Sequence, residues 1–434
     1  MAYNPNFFSI SNNVYNPDRY TQAEPKHAVR GEFSKDRDRI MYSKAFRRLS
    51  GKTQIFLSTT EEDIRSRLTH TLEVNQIAKT IAISLGQNLE LVEAIAFGHD
   101  IGHTPFGHVG ERTLNRIMNN IEPRFPIIGN AEKGFKHNLQ GLRLLCDIGN
   151  MDGHQGLNLS KYTLWGIANH SSLSYRNDPN VSCTYYDRYL NQIDSYWSFE
   201  GWIVALADEI AQRHHDIEDS IRYNIIEKNK LIEQMEPFRA YFTPMDKTNY
   251  NNLKRATANT DIEEFLRLFS RLIVNLYVVD VINKTKENMR QFHARHNFTN
   301  TEDFRILRPQ LVLDDVKDIV SFSQPIKNAD RVFHTFLKSQ VLGSYMAQSM
   351  DGKGQYIIRR LFEAYISNPC QLPDSAIRQF YIEIRTPNEL RSNLQSHING
   401  NEKILMRVIC DYIASMTDSY AYRQFDILYG TRIR

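Results

Sequence analysis

Residues 97–111 read FGHDIGHTPFGHVGE and gather three histidines and two carboxylates in one short stretch. A buried charge or imidazole without a partner is costly, so such a group is solvated, mutually paired or holding an ion. Four glycines and a proline prevent the stretch from forming one continuous helix. We interpret it as a functional site, because histidines spaced this closely around a glycine-interrupted turn have no ordinary packing role.

Four residues are candidate ligands of a divalent metal ion. His99 and Asp100 are adjacent at a predicted helix end, and His70 lies in the first turn of an earlier amphipathic segment. A further carboxylate is expected from the apolar segment ALADEIAQ, in which Asp208 is the preferred candidate and Glu209 its rival. Two imidazoles and two carboxylates suit Mn²⁺, Fe²⁺, Mg²⁺ or Zn²⁺ and leave coordination positions for water or a substrate oxygen.

The remaining titratable residues of the stretch predict acid–base chemistry beside that ion. His108 and Glu111 are three residues apart, so on a helix they share a face, and the carboxylate can orient the imidazole and raise its basicity. General acid or base catalysis needs such a pair. His103 lies in the turn between the ligands and this pair. Isolated histidines such as His170 and His214 are interpreted as surface or hydrogen-bonded residues without a role in the site.

Apolar spacing predicts the helices that position these residues. Apolar side chains recur at intervals of three and four over 69–85 and 88–98, and further helices are predicted over 109–121, 135–148 and 197–226. Residues 122–134 and 149–158 predict loops. Later helices are expected over 263–282 and 330–350, with an irregular stretch at 289–314 between them. Strand signals are scarce, so the sequence predicts an all-α fold.

Composition excludes several classes of protein. The chain has 434 residues, of which 41% are hydrophobic and 24% charged, as expected of a globular protein with a large core. A formal net charge of +3 is too small to indicate a nucleic-acid or membrane partner. No signal segment or membrane-spanning run is evident, and the four cysteines form no CxxC pair. We therefore expect a cytoplasmic protein that does not bind membranes.

The chain resembles the HD-domain deoxynucleoside triphosphate (dNTP) triphosphohydrolases, the dGTPase-like family. That superfamily is named for a His, a His-Asp doublet and a distant Asp, which His70, His99 with Asp100, and Asp208 match. The surrounding blocks also resemble those of the family and occur in its order. They are residues 37–56 (RDRIMYSKAFRRLSGKTQIF), 65–74 (RSRLTHTLEV), 98–111, 134–145 (GFKHNLQGLRLL), 207–221 (ADEIAQRHHDIEDSI) and 407–421 (RVICDYIASMTDSYA).

This resemblance implies an HD-domain helical bundle with a helical C-terminal extension. We expect an N-terminal segment at 1–35, a catalytic core at 36–235 and a C-terminal region at 236–434 continuous with that core. The implied reaction is hydrolysis of a dNTP to deoxynucleoside and inorganic tripolyphosphate by water attack at the α-phosphate. The implied cofactor is Mn²⁺, Mg²⁺ or Fe²⁺, and a tetramer or hexamer with a possible nucleotide activator is expected.

The resemblance also assigns residues. It implies a catalytic role for His103, His108 and Glu111, and substrate binding for the set Gln54, Arg67, His137 and Asp216. The match breaks at Gln212, where the family commonly has a tyrosine that packs against the sugar.

Two alternative functions remain open at this point. The first keeps the metal site but acts on another nucleotide, such as a nucleoside monophosphate or (p)ppGpp. The second is a nucleotide-binding or single-stranded nucleic-acid-binding protein, for which the basic stretches at 27–39 and 251–260 are candidate contacts.

Overall fold

A computed structural model describes residues 4–9, 18–53, 65–151, 154–172, 181–257, 262–386 and 391–430. Helices dominate these ranges, which confirms the predicted all-α class. In chain order the α-helices are α1 Glu32–Tyr42, α2 Lys44–Arg48, α3 Arg67–Leu85, α4 Leu89–Gly98, α5 Gly107–Ile117, α6 His137–Arg143, α7 Lys161–Asn169, α8 Asp187–Ile193, α9 Phe199–Arg222, α10 Lys228–Glu233, α11 Pro244–Ala256, α12 Ile262–His296, α13 Thr301–Leu307, α14 Leu313–Val316, α15 Gln324–Gly343, α16 Tyr345–Ser367, α17 Asp374–Glu383, α18 Leu394–Ile398, α19 Glu402–Ala414 and α20 Asp418–Tyr429. None of these helices is long and apolar enough to cross a membrane.

Two segments differ from the sequence-based expectation. The antiparallel strands β1 Asn150–Met151 and β2 His154–Gln155 form a hairpin within the predicted loop 149–158. The irregular stretch expected at 289–314 is wrong, because α12 continues to His296 and α13 follows. Met289 and Phe292 are buried on that continuation, so apolar packing outweighs its polar composition. Asn297, with a φ of +52°, follows the end of the helix.

The chain forms two compact units, each assembled from separate stretches. The first consists of Met1–Asn16, Leu72–Ala96 and Trp197–Gln348. The second consists of Pro17–Thr71, Phe97–Tyr196 and Ser349–Arg434. The domain boundaries expected after residues 35 and 235 stay a prediction.

In the first unit, α9 packs against α12 and α15. Arg213 of α9 donates from Nε and Nη2 to the two carboxylate oxygens of Asp330 in α15, each at 3.0 Å. The hydroxyl of Tyr277 in α12 donates to the same carboxylate at 2.6 Å. A charge-assisted pair of this geometry fixes the three helices where apolar contacts alone would permit sliding.

In the second unit, α5, α16, α17 and α19 share one apolar core. Its fully buried members include Leu114 of α5, Phe362 of α16 and Ile409 of α19. A buried polar contact ties α6 to this core, since Arg143 and Gln140 donate to the two carboxylate oxygens of Asp411, each at 2.9 Å. This unit contains the whole stretch 97–111.

Candidate active site

The histidine-rich stretch leaves α4 at Gly98 and turns back toward α6. Gly102 permits this close approach. A β-carbon at residue 102 would lie 1.9 Å from the carbonyl oxygen of His137 and 2.3 Å from the amide nitrogen of Gly141. Any side chain would therefore push the turn away from α6, and with it the residues on either side.

Two buried side chains hold the far end of the turn, between His103 and α5. Phe106 there has a φ of +62°, a left-handed conformation that is costly for a residue with a β-carbon. The carboxylate of Asp418, in α20, accepts a hydrogen bond from the Phe106 amide at 2.9 Å, another from the Thr53 amide at 2.9 Å, and a third from the Thr53 hydroxyl. Lys52 donates to the carbonyl oxygen of His103 and, at 2.9 Å, to the last carbonyl of α19.

Three of the predicted metal ligands come together at the start of the turn. His70 and His99 have no exposed surface, and Asp100 is 3% exposed. His70 Nε2 lies 3.8 Å from Asp100 Oδ2, and His99 Nε2 lies 3.6 Å from Asp100 Oδ1. Burial raises the pKa of Asp100, but His103, His99 and Arg67 together lower it well below its ordinary value. An ionised carboxylate beside two imidazoles fits a divalent cation.

Asp208, the fourth predicted ligand, belongs to the first unit and lies on α9. It is 5% exposed, whereas the side chain of its rival Glu209 is exposed. Gln212 donates from Nε2 to both carboxylate oxygens of Asp208 at 3.1 Å, which orients that carboxylate. Asp216 is half-buried two turns further along the same helix. The role of Asp208 as the fourth ligand stays a prediction.

Arg67, in the first turn of α3, is 1% exposed. Its Nη1 donates to Asp100 Oδ2 at 2.7 Å. Its Nε and Nη2 are buried and have no hydrogen-bond partner among the described residues. Buried N–H groups of a guanidinium are costly to leave unsatisfied, and phosphate oxygens are acceptors of the right geometry. Gln54, also predicted to bind substrate, lies outside the described residues.

The other predicted residues form a second group, in which ligand atoms of His103, His108, Glu111 and His137 all lie within 4.8 Å of one another. The His103 ring stacks on that of His137 with centroids 3.8 Å apart. His103 Nε2 lies 3.1 Å from Asp100 Oδ1. Burial, Arg67 and His137 lower the pKa of His103 well below its ordinary value, so this imidazole is neutral near pH 7. The side chain of His108 is exposed.

Glu111, on α5, is buried and bonded to His137. Its Oε2 accepts hydrogen bonds from the His137 backbone amide, at 3.1 Å, and from ring Nδ1. Burial raises the pKa of Glu111, but His137, His108 and His103 lower it well below its ordinary value. The ionised carboxylate therefore interacts electrostatically with His108, its predicted partner, and is hydrogen-bonded to His137 as well.

Sequence reasoning missed three residues of this region. His170 is 5% exposed, its Nε2 lies 3.2 Å from that of His137, and its ring centroid lies 5.1 Å from that of His99. The signal that could have found it is its place at the end of the apolar helix α7, where an imidazole must be buried. Lys52 and Asp418 were missed because their partners are remote: 51 residues separate Lys52 from His103, and 312 separate Asp418 from Phe106.

Comparison with known proteins identifies the family. A model described as the HD domain matches residues 67–219, and one described as the phosphohydrolase-associated domain matches 320–426. A deoxyguanosinetriphosphate triphosphohydrolase-like protein of Geobacter metallireducens is 34% identical over 418 residues, which cover 95% of this chain and 91% of that protein. The chain belongs to the dGTPase-like family of HD-domain proteins. Proteins of the same name from Ralstonia pickettii and Bordetella pertussis are 34% and 33% identical, and each alignment covers 93% of this chain.

This dGTPase-like protein is therefore an HD-domain phosphohydrolase, as the sequence predicts. The HD match includes all four predicted metal ligands. HD domains bind divalent metal ions, and the clusters of His, Asp and Glu side chains described above fit one. The phosphohydrolase-associated match includes Asp418, whose carboxylate reaches the turn of the HD domain.

Proposed function

We propose that this dGTPase-like protein hydrolyses dNTPs to deoxynucleoside and inorganic tripolyphosphate. The observation that carries the proposal is the pairing of ionised Asp100 with the buried guanidinium of Arg67, next to His70 and His99. A cation bound to the carboxylate and imidazoles, together with the N–H groups of Arg67, would offset the charge of a triphosphate. The names of the relatives support this class of substrate, since they denote action on deoxyguanosine triphosphate.

In the proposed reaction, the oxygen of a water molecule forms a bond to the α-phosphorus. The bond between that phosphorus and the 5′-oxygen of the sugar breaks, the water releases a proton, and the 5′-oxygen takes up a proton. His70, His99, Asp100 and Asp208 would hold a divalent cation, which supplies positive charge at the α-phosphate. Arg67 would donate to phosphate oxygens.

We assign the proton transfers to the group around His103. His103 is a neutral imidazole and can accept or donate a proton, and exposed His108 is paired with ionised Glu111. His137 is proposed to face the substrate with its position fixed by Glu111. Gln212 bonds to Asp208 and lacks the aromatic ring of the family's usual tyrosine, so we expect weaker discrimination at the sugar.

Product identification tests this proposal. The purified protein is incubated with each dNTP, alone and in mixtures, with Mg²⁺, Mn²⁺ or Fe²⁺, and the products are separated by anion-exchange chromatography. We expect one tripolyphosphate per deoxynucleoside, and a rate that rises only in mixtures would reveal a nucleotide activator. Orthophosphate or pyrophosphate without tripolyphosphate would contradict the proposal and favour action on a different nucleotide.

Substitutions test the assigned roles. Arg67→Lys keeps the positive charge but loses the planar set of donors, so KM for the dNTP should rise about tenfold, the value of one charge-assisted hydrogen bond. Arg112→Lys is the matched control, because Arg112 is exposed on α5 and pairs with exposed Asp351. Asp100→Ala should lose bound metal. His108→Ala should keep the metal and lose turnover, and the opposite pattern of metal content would refute these two roles.

A further inference from the structure

A cluster of side chains on α3 and α9, all within the first unit, has no part in the proposed reaction. His214 and His215 are adjacent on α9, and Glu73 of α3 lies beside both. His215 Nε2 is hydrogen-bonded to Glu73 Oε2, and His214 Nδ1 lies 3.5 Å from the same oxygen. Ligand atoms of the three side chains all lie within 4.8 Å of one another.

The second imidazole distinguishes this cluster from an ordinary ion pair between helices. One imidazole is enough to link the Glu73 carboxylate to α9, and His215, which has no exposed surface, supplies it. The side chain of His214 is 15% exposed, so water could satisfy its ring, yet Nδ1 is directed at the oxygen that His215 already contacts. Two ring nitrogens converging on one carboxylate oxygen form a ligand set for a transition metal.

Glu218 adds the contact that orients a metal-bound histidine. It lies one turn after His214 on α9, and its Oε2 is 3.5 Å from His214 Nε2, the other ring nitrogen. Its Oε1 accepts hydrogen bonds from Arg222, at 3.2 Å from Nε and 2.9 Å from Nη2, which hold the carboxylate in place. Histidine ligands typically direct their second nitrogen at a carboxylate held in this way.

The distances fit a tetrahedral ion. Two ligand atoms that are each about 2.05 Å from one Zn²⁺ ion are about 3.4 Å apart in tetrahedral geometry. His214 Nδ1 and Glu73 Oε2 are 3.5 Å apart. His215 Nε2 lies closer to Glu73, so the ion takes the place of their hydrogen bond and the carboxylate shifts to admit it. The side chain of Glu73 is 32% exposed, which leaves space for this shift and gives the ion access from solvent.

We propose that His214, His215 and Glu73 bind a Zn²⁺ ion in addition to the cation of the proposed reaction. Glu218 orients His214, and water completes the coordination. Two nitrogens and a carboxylate oxygen suit Zn²⁺ better than Mg²⁺ or Ca²⁺, which prefer oxygen. Glu73 and Glu218 carry two negative charges against the single positive charge of Arg222, so the cluster attracts a cation. The ion joins α3 to α9 within the first unit.

Metal counting without nucleotide tests this site. The chelator-stripped full-length protein is reloaded with Zn²⁺ alone, desalted and analysed by mass spectrometry for bound zinc. We expect His214→Asn to hold one Zn²⁺ per chain fewer than wild type, whereas His27→Asn, at an exposed histidine, should hold the same number. Glu73→Gln keeps an acceptor for His215 but loses the charge of the ligand, so it should also lose one Zn²⁺.

A second comparison separates this ion from the cation of the proposed reaction. Asp100→Ala should retain the Zn²⁺ ion that the double variant with His214→Asn lacks. Zinc X-ray absorption of the Asp100→Ala protein adds a readout that a purely structural role for the cluster would not give, namely two imidazoles about 2.0–2.1 Å from the ion.

Equal zinc content with and without His214→Asn, in chains shown to be folded by circular dichroism, would overturn the proposal. The cluster would then be a hydrogen-bonded contact between α3 and α9 and nothing more. Because no nucleotide is added and the ligands lie outside the proposed reaction, the result stands whether or not dNTP hydrolysis is observed.

Discussion

Replacing Asp418 should disable the turn that carries His103 and leads into α5, where His108 lies, without touching a metal ligand. The Asp418 carboxylate accepts from two buried backbone amides, those of Thr53 and Phe106. Removing it in Asp418→Ala leaves two unsatisfied N–H groups at about 1–3 kcal/mol each. Phe106 can then relax from its left-handed φ of +62°, and the backbone strain released offsets about 1–2 kcal/mol of this loss of stability. The net loss of stability is therefore about 0–5 kcal/mol, with a midpoint of about 2.5 kcal/mol, and the relaxation itself moves the turn.

A displacement of about 1 Å in a catalytic group typically costs about a hundredfold in rate, and that is the loss of kcat we expect for Asp418→Ala. Asp418→Asn keeps one acceptor oxygen for one of the two backbone amides and turns an NH₂ group toward the other. The loss of kcat in this variant should therefore be nearer tenfold. The assay measures kcat, KM and metal content well below the melting temperature of each variant. Asp351→Asn, at an exposed aspartate of α16, is the control.

If Asp418 positions the turn, kcat falls in Asp418→Ala while metal content stays the same and KM changes little. A variant that is less stable but turns over within about twofold of wild type would refute the positioning role. Loss of metal together with kcat would instead mean that Asp418 supports the whole site rather than the turn. The three readouts therefore separate a local effect on His103 and His108 from general destabilisation.

Three further predictions concern stability and reactivity. Gly102→Ala should destabilise the fold by about 3 kcal/mol or more in denaturant titration. The control is Gly352→Ala, within α16, where an added β-carbon would have no atom within 4 Å and should stabilise the fold by up to about 1 kcal/mol. Equal effects of the two substitutions would contradict the close approach of Gly102 to α6. Burial and Arg48 lower the pKa of Lys52 from 10.5 to about 7. Between pH 7 and 10.5 the unfolded chain therefore binds a proton at Lys52 that the folded chain does not, so the free energy of unfolding rises with pH. Lys52→Met should flatten this rise in a pH series of denaturant titrations, and an unchanged slope would contradict the pKa shift. Exposed Cys370 should react with a thiol reagent in the native protein, whereas Cys410, whose pKa burial raises to about 12, should react only after unfolding, as mass spectrometry of labelled peptides would establish.

The local sequence pattern was sufficient to predict much of the fold and the centre of the candidate site. Helical periodicity located α3, α4, α5 and α9, because each buries one apolar face over several turns. The convergence of His99 and Asp100 with His70 followed from their places at helix ends. The family resemblance then added Arg67 and His137, whose types alone have many ordinary explanations.

What the sequence did not reveal depends on contacts between distant segments. The continuation of α12 to His296 follows from tertiary burial of Phe292, which polar neighbours conceal in the sequence. His170 looks like an isolated histidine until α6 brings His137 against it. The sequence predicts no role for Asp418, because only the fold brings its carboxylate to the amide of Phe106.

The carboxylate of Asp418 also determines when, during synthesis of the chain, the amide of Phe106 gains its hydrogen-bond acceptor. Asp100 and Asp418 are separated by 318 positions (418 − 100), which a ribosome translating about 5–20 residues per second covers in roughly 16–64 s. During that interval the nascent chain already contains His99, Asp100 and His103 but not the acceptor for the Phe106 amide. The proposed hydrolysis should therefore begin only late in synthesis, and an incomplete chain released by a stalled ribosome should largely lack it.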